Sequence, residues 1–254
     1  LVTGGARGIG RACAEELARA GSHIAIADLR VEDAAATAAQ IAAAHKITAR
    51  GYACDVRDPA AIRAMIAAIV SEFGGLDHVV NNAGVQFVSP IAEFPDDRWE
   101  FVRGIDLDSV FYVTKAAWPH LLARGRGRIV NIASVHGLVA SPFKSAYIAA
   151  KHGVVGFTKT AALEGAQAGI TVNAICPGAV MTDLVRDQAA DLAKSYGGNI
   201  SEEEALSRAF LEQMPTKRFI EPAEVGALCA YLCSDAARSV TGASIAIDGG
   251  WSAH

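Results

Sequence analysis

Short apolar runs recur along the chain at Leu1–Thr3, His23–Ala27, Thr48–Cys54, His78–Asn81, Arg128–Ile132, Thr171–Ile175 and Ser244–Ile247. Between most of them lie alanine-rich segments with apolar residues at helical spacing, such as Arg11–Ala20 and Val31–Ala44. A run that is short and apolar throughout reads as a strand covered on both faces. Strands of that kind pair in parallel through helical crossovers. The alternation therefore predicts one doubly wound α/β sheet with helices on both faces. No Pro/Gly/Ser-rich linker divides it, so residues 1–254 are expected to form a single domain. Thr182–Pro215 breaks the rhythm: it is polar, helical in pattern and longer than a connection needs. It is expected to be a helical lid, near residues 182–215, over the sheet edge.

Composition narrows the function classes. The chain is 52% hydrophobic and 20% charged, enough apolar material for one sizeable core. Its net charge is −4 and it has no basic run, which argues against nucleic acid or an anionic membrane as partner. No apolar run approaches the ~18 residues of a membrane span, and no signal peptide is seen. Cys13, Cys54, Cys176, Cys229 and Cys233 follow neither zinc-ligand nor disulfide spacing. They read as buried, reduced thiols of a cytoplasmic protein, with no metal site.

The stretch TGGARGIG after the first strand opens the first helix. Gly4, Gly8 and Gly10 permit a tight turn and let backbone approach a pyrophosphate at the helix N-terminus. A plain strand–helix turn uses glycines too, so context matters. Asp28 ends the second strand, about where a carboxylate meets an adenosine ribose. Negative charge there repels a 2′-phosphate and favours NAD over NADP, although Arg7 and Arg30 nearby pull the other way. After the third strand, Asp55 and Val56 are placed to bracket an adenine. Asp58–Pro59 also reads as a turn.

Tyr147 and Lys151 are one helical turn apart and share a face. An exposed helix pair would show the same spacing, but Ser134 lies upstream and the glycine loop accompanies it. A free tyrosine titrates near 10 and is a poor base at neutral pH. A nearby ammonium favours its phenolate. The two residues thus form a candidate acid/base pair.

With TGGARGIG (Thr3–Gly10), NNAG (Asn81–Gly84), Ser134, YIAAK (Tyr147–Lys151) and CPG (Cys176–Gly178) in this order, the chain resembles the short-chain dehydrogenase/reductase family over essentially its whole length. The resemblance implies a Rossmann-like sheet, a single dinucleotide-binding catalytic domain and a nicotinamide cofactor. It implies Tyr147 as acid/base, Lys151 as its partner and ribose ligand, and Ser134 as donor to the substrate oxygen. Cofactor contacts are implied for Gly4, Arg7, Gly8, Ile9 and Gly10, and for Asn82, Ala83 and Gly84. Pro177, Gly178, Val180 and Thr182 would shape the nicotinamide pocket. A homotetramer, through the helices beside Tyr147 and near Asp106, is also implied. One position departs: where the family has an asparagine, this chain has Asp106, which could compete with Tyr147 for Lys151.

Polar residues surround the catalytic serine. His136, Lys144 and Gln86 could converge on an anionic substrate end, most simply a carboxylate, although each is also an ordinary loop residue type. Within the family, HGLVASPFKSAY, CPGAVMTDLVRDQ and DGGW resemble members that act on short 3-hydroxy acids. By that match Gln86, His136, Lys144 and Gln188 contact substrate, with Trp251 near the pocket. 3-Hydroxybutyrate is the expected substrate. Ala179 stands where those members carry a tryptophan, which predicts a looser pocket. An NADPH-dependent 3-oxoacyl-carrier-protein reductase, a sugar or polyol dehydrogenase, and a non-catalytic dinucleotide-binding module remain open alternatives.

Overall fold

The computed structural model describes residues 1–186, 189–190, 193 and 200–253. Its centre is a seven-stranded, all-parallel sheet in the order β3-β2-β1-β4-β5-β6-β7. The strands are β1 (Val2–Thr3), β2 (Ile24–Asp28), β3 (Ala49–Ala53), β4 (His78–Asn81), β5 (Arg128–Ile132), β6 (Thr171–Pro177) and β7 (Ser244–Ile247). Each falls within a residue or two of its predicted apolar run. Val2 pairs with Ile26 on one side and Val80 on the other, so β1 sits where the strand order reverses. A crevice opens at such a switch point, beyond the carboxyl ends of the strands.

Alternate strand residues feed two cores, as a pleat demands. Val2, Ile26, Val80, Val130 and Ile175 pack toward α1 (Gly8–Arg19), α2 (Val31–His45) and the last long helix, Pro222–Cys233. Ala25, Val79, Ile129 and Val172 face α3 (Pro59–Phe73), α5 (Ser109–Arg124) and α6 (Ser145–Gly165). Between α3 and α5, α4 (Asp96–Arg103) runs into α5 through a π-turn, Gly104–Asp108. The helix ends follow local chemistry. Asp58 caps α3 by accepting from the Ala60 N–H at 2.7 Å, Pro59 takes the first turn, and Gly74 ends the helix at φ 75°.

All five cysteines are buried and unbridged. In the described part of the expected lid, helical turns occur at Asp183–Arg186 and Glu202–Leu206, the latter continuing as a π-turn over Ser207–Leu211. Gln188 lies outside the described residues. Among the described residues no helix is long and apolar enough to cross a membrane, and no cluster of potential metal ligands occurs.

Candidate active site

The glycine loop lies at the switch point between β1 and α1. Gly4 and Gly8 adopt φ 59° and 56°, conformations that side chains disfavour. A Cβ at Gly10 would collide with the Gly4 carbonyl and the Asn82 amide, so only glycine lets the helix start this close under the loop. The Asn82 side-chain amide donates to the carbonyls of Thr3 (3.0 Å) and Gly4 (2.9 Å). Thr3 Oγ1 in turn accepts from the backbone N–H groups of Asn82 and Ala83, at 3.0 and 3.2 Å. Thr37 Oγ1 donates to the Ala6 carbonyl at 2.8 Å. The loop is thus clamped from β4 and α2 with α1's N-terminus beneath it. Thr182 lies against Gly8, its Cγ2 3.5 Å from where a Cβ there would stand.

Asp28 accepts from Ala6 N–H (3.1 Å) with one carboxylate oxygen and Leu29 N–H (2.8 Å) with the other. It therefore both ties the loop to β2 and puts a negative charge at the strand end. Arg30 pairs with Asp33, while Arg7 is exposed. Asp55 is engaged by Arg57 at 3.0 and 3.1 Å from Nε, a partner that holds its carboxyl below the ordinary value. Val56 beside it is buried. Glycine loop, helix start and strand-end carboxylate fit a dinucleotide.

Ser134 follows β5 in extended backbone and opens a short 3-10 turn, Val135–Gly137, accepting from the His136 N–H at 3.1 Å. A Cβ at Gly137 would stand 2.9 Å from the Lys151 carbonyl oxygen. That glycine lets the turn press against α6, which brings Ser134 close enough to Tyr147 to favour its ionised form. One turn further along α6, the Lys151 ammonium lies 5.5 Å from the Tyr147 ring centroid.

Lys151 is buried; it donates to the Ile132 carbonyl at 3.1 Å and forms an ion pair with Asp106 Oδ1, also at 3.1 Å. Asp106, wholly buried in the π-turn, accepts from Val85 N–H at 3.0 Å with its other oxygen. Gly84 leaves room for the pair, since a Cβ there would stand 2.8 Å from Asp106 Oδ1. The expected competition for Lys151 is therefore realised as a direct ion pair. Burial works against the Lys151 charge, but Asp106 and Tyr147 outweigh it and keep its pKa raised. Burial also pushes the Asp106 carboxyl up, against the pull of Lys151. Tyr147 departs from expectation. Its phenol is raised rather than lowered, because burial and the Asp106 charge together exceed the pull of Lys151 and of the neighbouring Ser134.

His136 is buried, with its Nε2 2.9 Å from Ser141 Oγ and its Nδ1 3.5 Å from Ser134 Oγ. Its ring stands edge-on between Tyr147 (6.0 Å) and Trp251 (5.2 Å). Burial, then the nearby charge of Lys144, lowers its pKa to about 4, so it is a neutral imidazole at pH 7. Lys144 is half-buried at the start of α6, and among the described residues its ammonium has no anionic or hydrogen-bonding partner. Gln86 is exposed just after NNAG. Trp251 is positioned by Asp248, which accepts from Gly250 N–H (3.0 Å), Ser252 N–H (2.8 Å) and Ser252 Oγ (2.6 Å). Gly178 N–H bonds to the Ile247 carbonyl at 2.9 Å, and Pro177 ends β6 beside it. Val180 bridges to Ile220. Ala179 packs on the first core.

Comparison with known proteins agrees with this geometry. A family model described as enoyl-(acyl carrier protein) reductase matches residues 4–252. D-beta-hydroxybutyrate dehydrogenase of Rhizobium meliloti is 45% identical, covering 100% of this chain and 98% of the relative. The enzyme of the same name from Cupriavidus necator is 47% identical, covering 100% and 97%. The chain belongs to the short-chain dehydrogenase/reductase family. Among solved structures, actinorhodin polyketide ketoreductase with NADPH superposes with a TM-score of 0.92 at 37% identity, covering 100% of this chain and 96% of that one. L-sorbose reductase of Gluconobacter frateurii, complexed with NADPH and L-sorbose, gives 0.95 at 30% identity, covering 100% and 95%.

This short-chain dehydrogenase/reductase is an oxidoreductase, and motif reading alone does not show what several residues around its candidate site hold in place. Thr3 and Thr37 hold the glycine loop, Gly137 lets the turn after β5 approach α6, and Asp248 holds the turn that carries Trp251. Thr3, Gly137 and Asp248 fall inside the stretches TGGARGIG, HGLVASPFKSAY and DGGW, whereas Thr37 lies in none of them.

Proposed function

We propose that this chain is an NAD-dependent dehydrogenase interconverting a short 3-hydroxy acid, D-3-hydroxybutyrate first, and its 3-keto acid, here acetoacetate. The observation that carries this reading is Lys144. A half-buried ammonium with no partner among the described residues leaves a charge unsatisfied, and this one bears on His136 beside the Ser134–Tyr147 pair. A substrate carboxylate supplies the missing partner. The names of the two relatives at 45% and 47% identity support the same acid.

Each residue then has a task. Ser134 Oγ accepts from His136 N–H and keeps its own proton for the substrate oxygen. Tyr147 exchanges a proton with that same oxygen. Lys144, His136 and Gln86 hold the carboxylate, with Gln188 as a further substrate contact, and Trp251 walls the pocket against His136. Gly4, Arg7, Gly8, Ile9 and Gly10 hold the pyrophosphate, Asp28 the adenosine ribose, and Asp55 with Val56 the adenine. Asn82, Ala83, Gly84, Pro177, Gly178, Val180, Thr182 and Lys151 hold the nicotinamide half. The dinucleotide supplies the acceptor for the hydride that leaves the carbinol carbon. Asp28 opposes a 2′-phosphate, and Arg30 is committed to Asp33, which supports NAD over NADP. A homotetramer assembled through α5 and α6 completes the proposal.

The test is a panel of NAD and NADP against D- and L-3-hydroxy acids of increasing chain length, with threitol as neutral control. NAD with D-3-hydroxybutyrate or a close homologue should give the highest kcat/KM. Lys144→Ala should raise KM for the acid by about tenfold to a hundredfold, as expected for one lost charge-assisted contact of roughly 1.5–3 kcal/mol. Faster turnover of threitol, or an unchanged KM in Lys144→Ala, overturns the reading.

A further inference from the structure

The site contains a charge pair that the proton exchange just described does not require. Resting on the reading of Tyr147 as the acid/base, we propose that Asp106 cancels the charge of Lys151 beside the phenol. The site is thereby biased toward giving a proton, and so toward reducing a carbonyl, across neutral pH.

The geometry supports this directly. Lys151 Nζ reaches Asp106 Oδ1 at 3.1 Å and lies 5.5 Å from the Tyr147 ring centroid. Both partners are buried, with side-chain exposures of 5% and 0%. There a lone ammonium acts strongly on a neighbouring phenol, whereas an ion pair presents only a dipole. Other groups facing the pair do not restore the cation. From the 3-10 turn after β5 comes His136, neutral at pH 7. From β6 comes Cys176, a thiol pushed up to about 11 by burial, near Asp248, whose carboxylate is spent on Gly250 and Ser252. Lys144 and His152 act on His136. Within α6, Lys151 is therefore the cation that bears on Tyr147, and Asp106 is the anion set against it.

A protonated phenol is ready for one direction only. In reduction, the carbonyl carbon accepts a hydride from a reduced nicotinamide dinucleotide. The carbonyl π pair then takes the Tyr147 proton, the phenolic O–H bond breaks and the substrate O–H bond forms. In oxidation the phenolate must exist first. Asp106 touches neither substrate nor reacting atoms. It is a positioning residue acting through Lys151, and an amide of the same shape would leave the ammonium uncompensated.

The experiment compares wild type with Asp106→Asn in both directions across pH, on whichever alcohol and ketone the substrate panel shows to be turned over. In the wild type, kcat/KM for oxidation should climb about tenfold per pH unit through neutrality. In Asp106→Asn it should level off about one to two pH units lower, with reduction declining correspondingly earlier. A second readout is independent of turnover: ultraviolet titration of tyrosinate, with the Tyr147→Phe signal subtracted, should show the same downward shift. Coincident inflections in the two proteins overturn the proposal. So does a wild-type Tyr147 that ionises at or below neutral pH, a result that needs no foldable Asp106 variant. Loss of hydroxy-acid turnover with a shifted tyrosinate step would sink the substrate assignment and leave this inference standing.

Discussion

At single residues, burial and neighbouring charges move the pH range over which groups hold their protons. His136 shows the stability consequence. Unfolded, an imidazole binds its proton near 6.5; folded, His136 does so only near 4. Its contribution is therefore fully present above pH 6.5 and is lost as pH falls through 4, by roughly 3 kcal/mol in total. The urea midpoint of the wild type should fall between pH 7 and pH 4.5, and His136→Gln should lose less over the same interval. Asp28 can be separated into its two roles in the same way. Asn at this position keeps an acceptor for the Ala6 N–H but removes the charge. Asp28→Asn should lower the ratio of kcat/KM with NAD to that with NADP by about tenfold, some 1.4 kcal/mol. An unchanged ratio would leave Asp28 as a loop fastener only.

Elements meet here through glycines at points where no side chain fits. Gly226, in the helix Pro222–Cys233, stands so close to α1 that a Cβ would lie 2.6 Å from the Ala12 carbonyl oxygen. Gly226→Ala should cost about 1–3 kcal/mol in urea denaturation, the usual penalty for overpacking, with α1 and the glycine loop shifting together. No periodicity in the sequence marks that position, because the contact partner is far away in the chain. The strands, by contrast, were legible. The inner strands are buried on both faces, and the alternation of Val2, Ile26 and Val130 with Ala25 and Ile129 into two cores is a local pattern. Ser134, Tyr147 and Lys151 were legible as a spaced motif, and Asp106 as the departure from it. The rise in the Tyr147 pKa was not, since it depends on how deeply neighbouring elements bury the ring and on which oxygen of Asp106 meets Lys151.

On the scale of the molecule, α5 and α6 leave apolar side chains uncovered in the single chain. Phe111 is 44% exposed and Leu163 82% exposed, which supports the proposed assembly through these helices. Leu163→Arg should shift the protein toward smaller species in light scattering, whereas an unaltered mass would place the interface elsewhere. Helix α6, which carries Tyr147 and Lys151, would then be shared between the candidate site and a subunit boundary. The opposite end of the site is closed from within the same chain, where the turn held by Asp248 sets Trp251 edge-on to His136 at 5.2 Å. An indole excited by light loses emission to a neighbouring imidazolium far more readily than to a neutral imidazole. Trp251 is thus an optical gauge of the histidine beside it, and its fluorescence should fall as His136 takes up a proton.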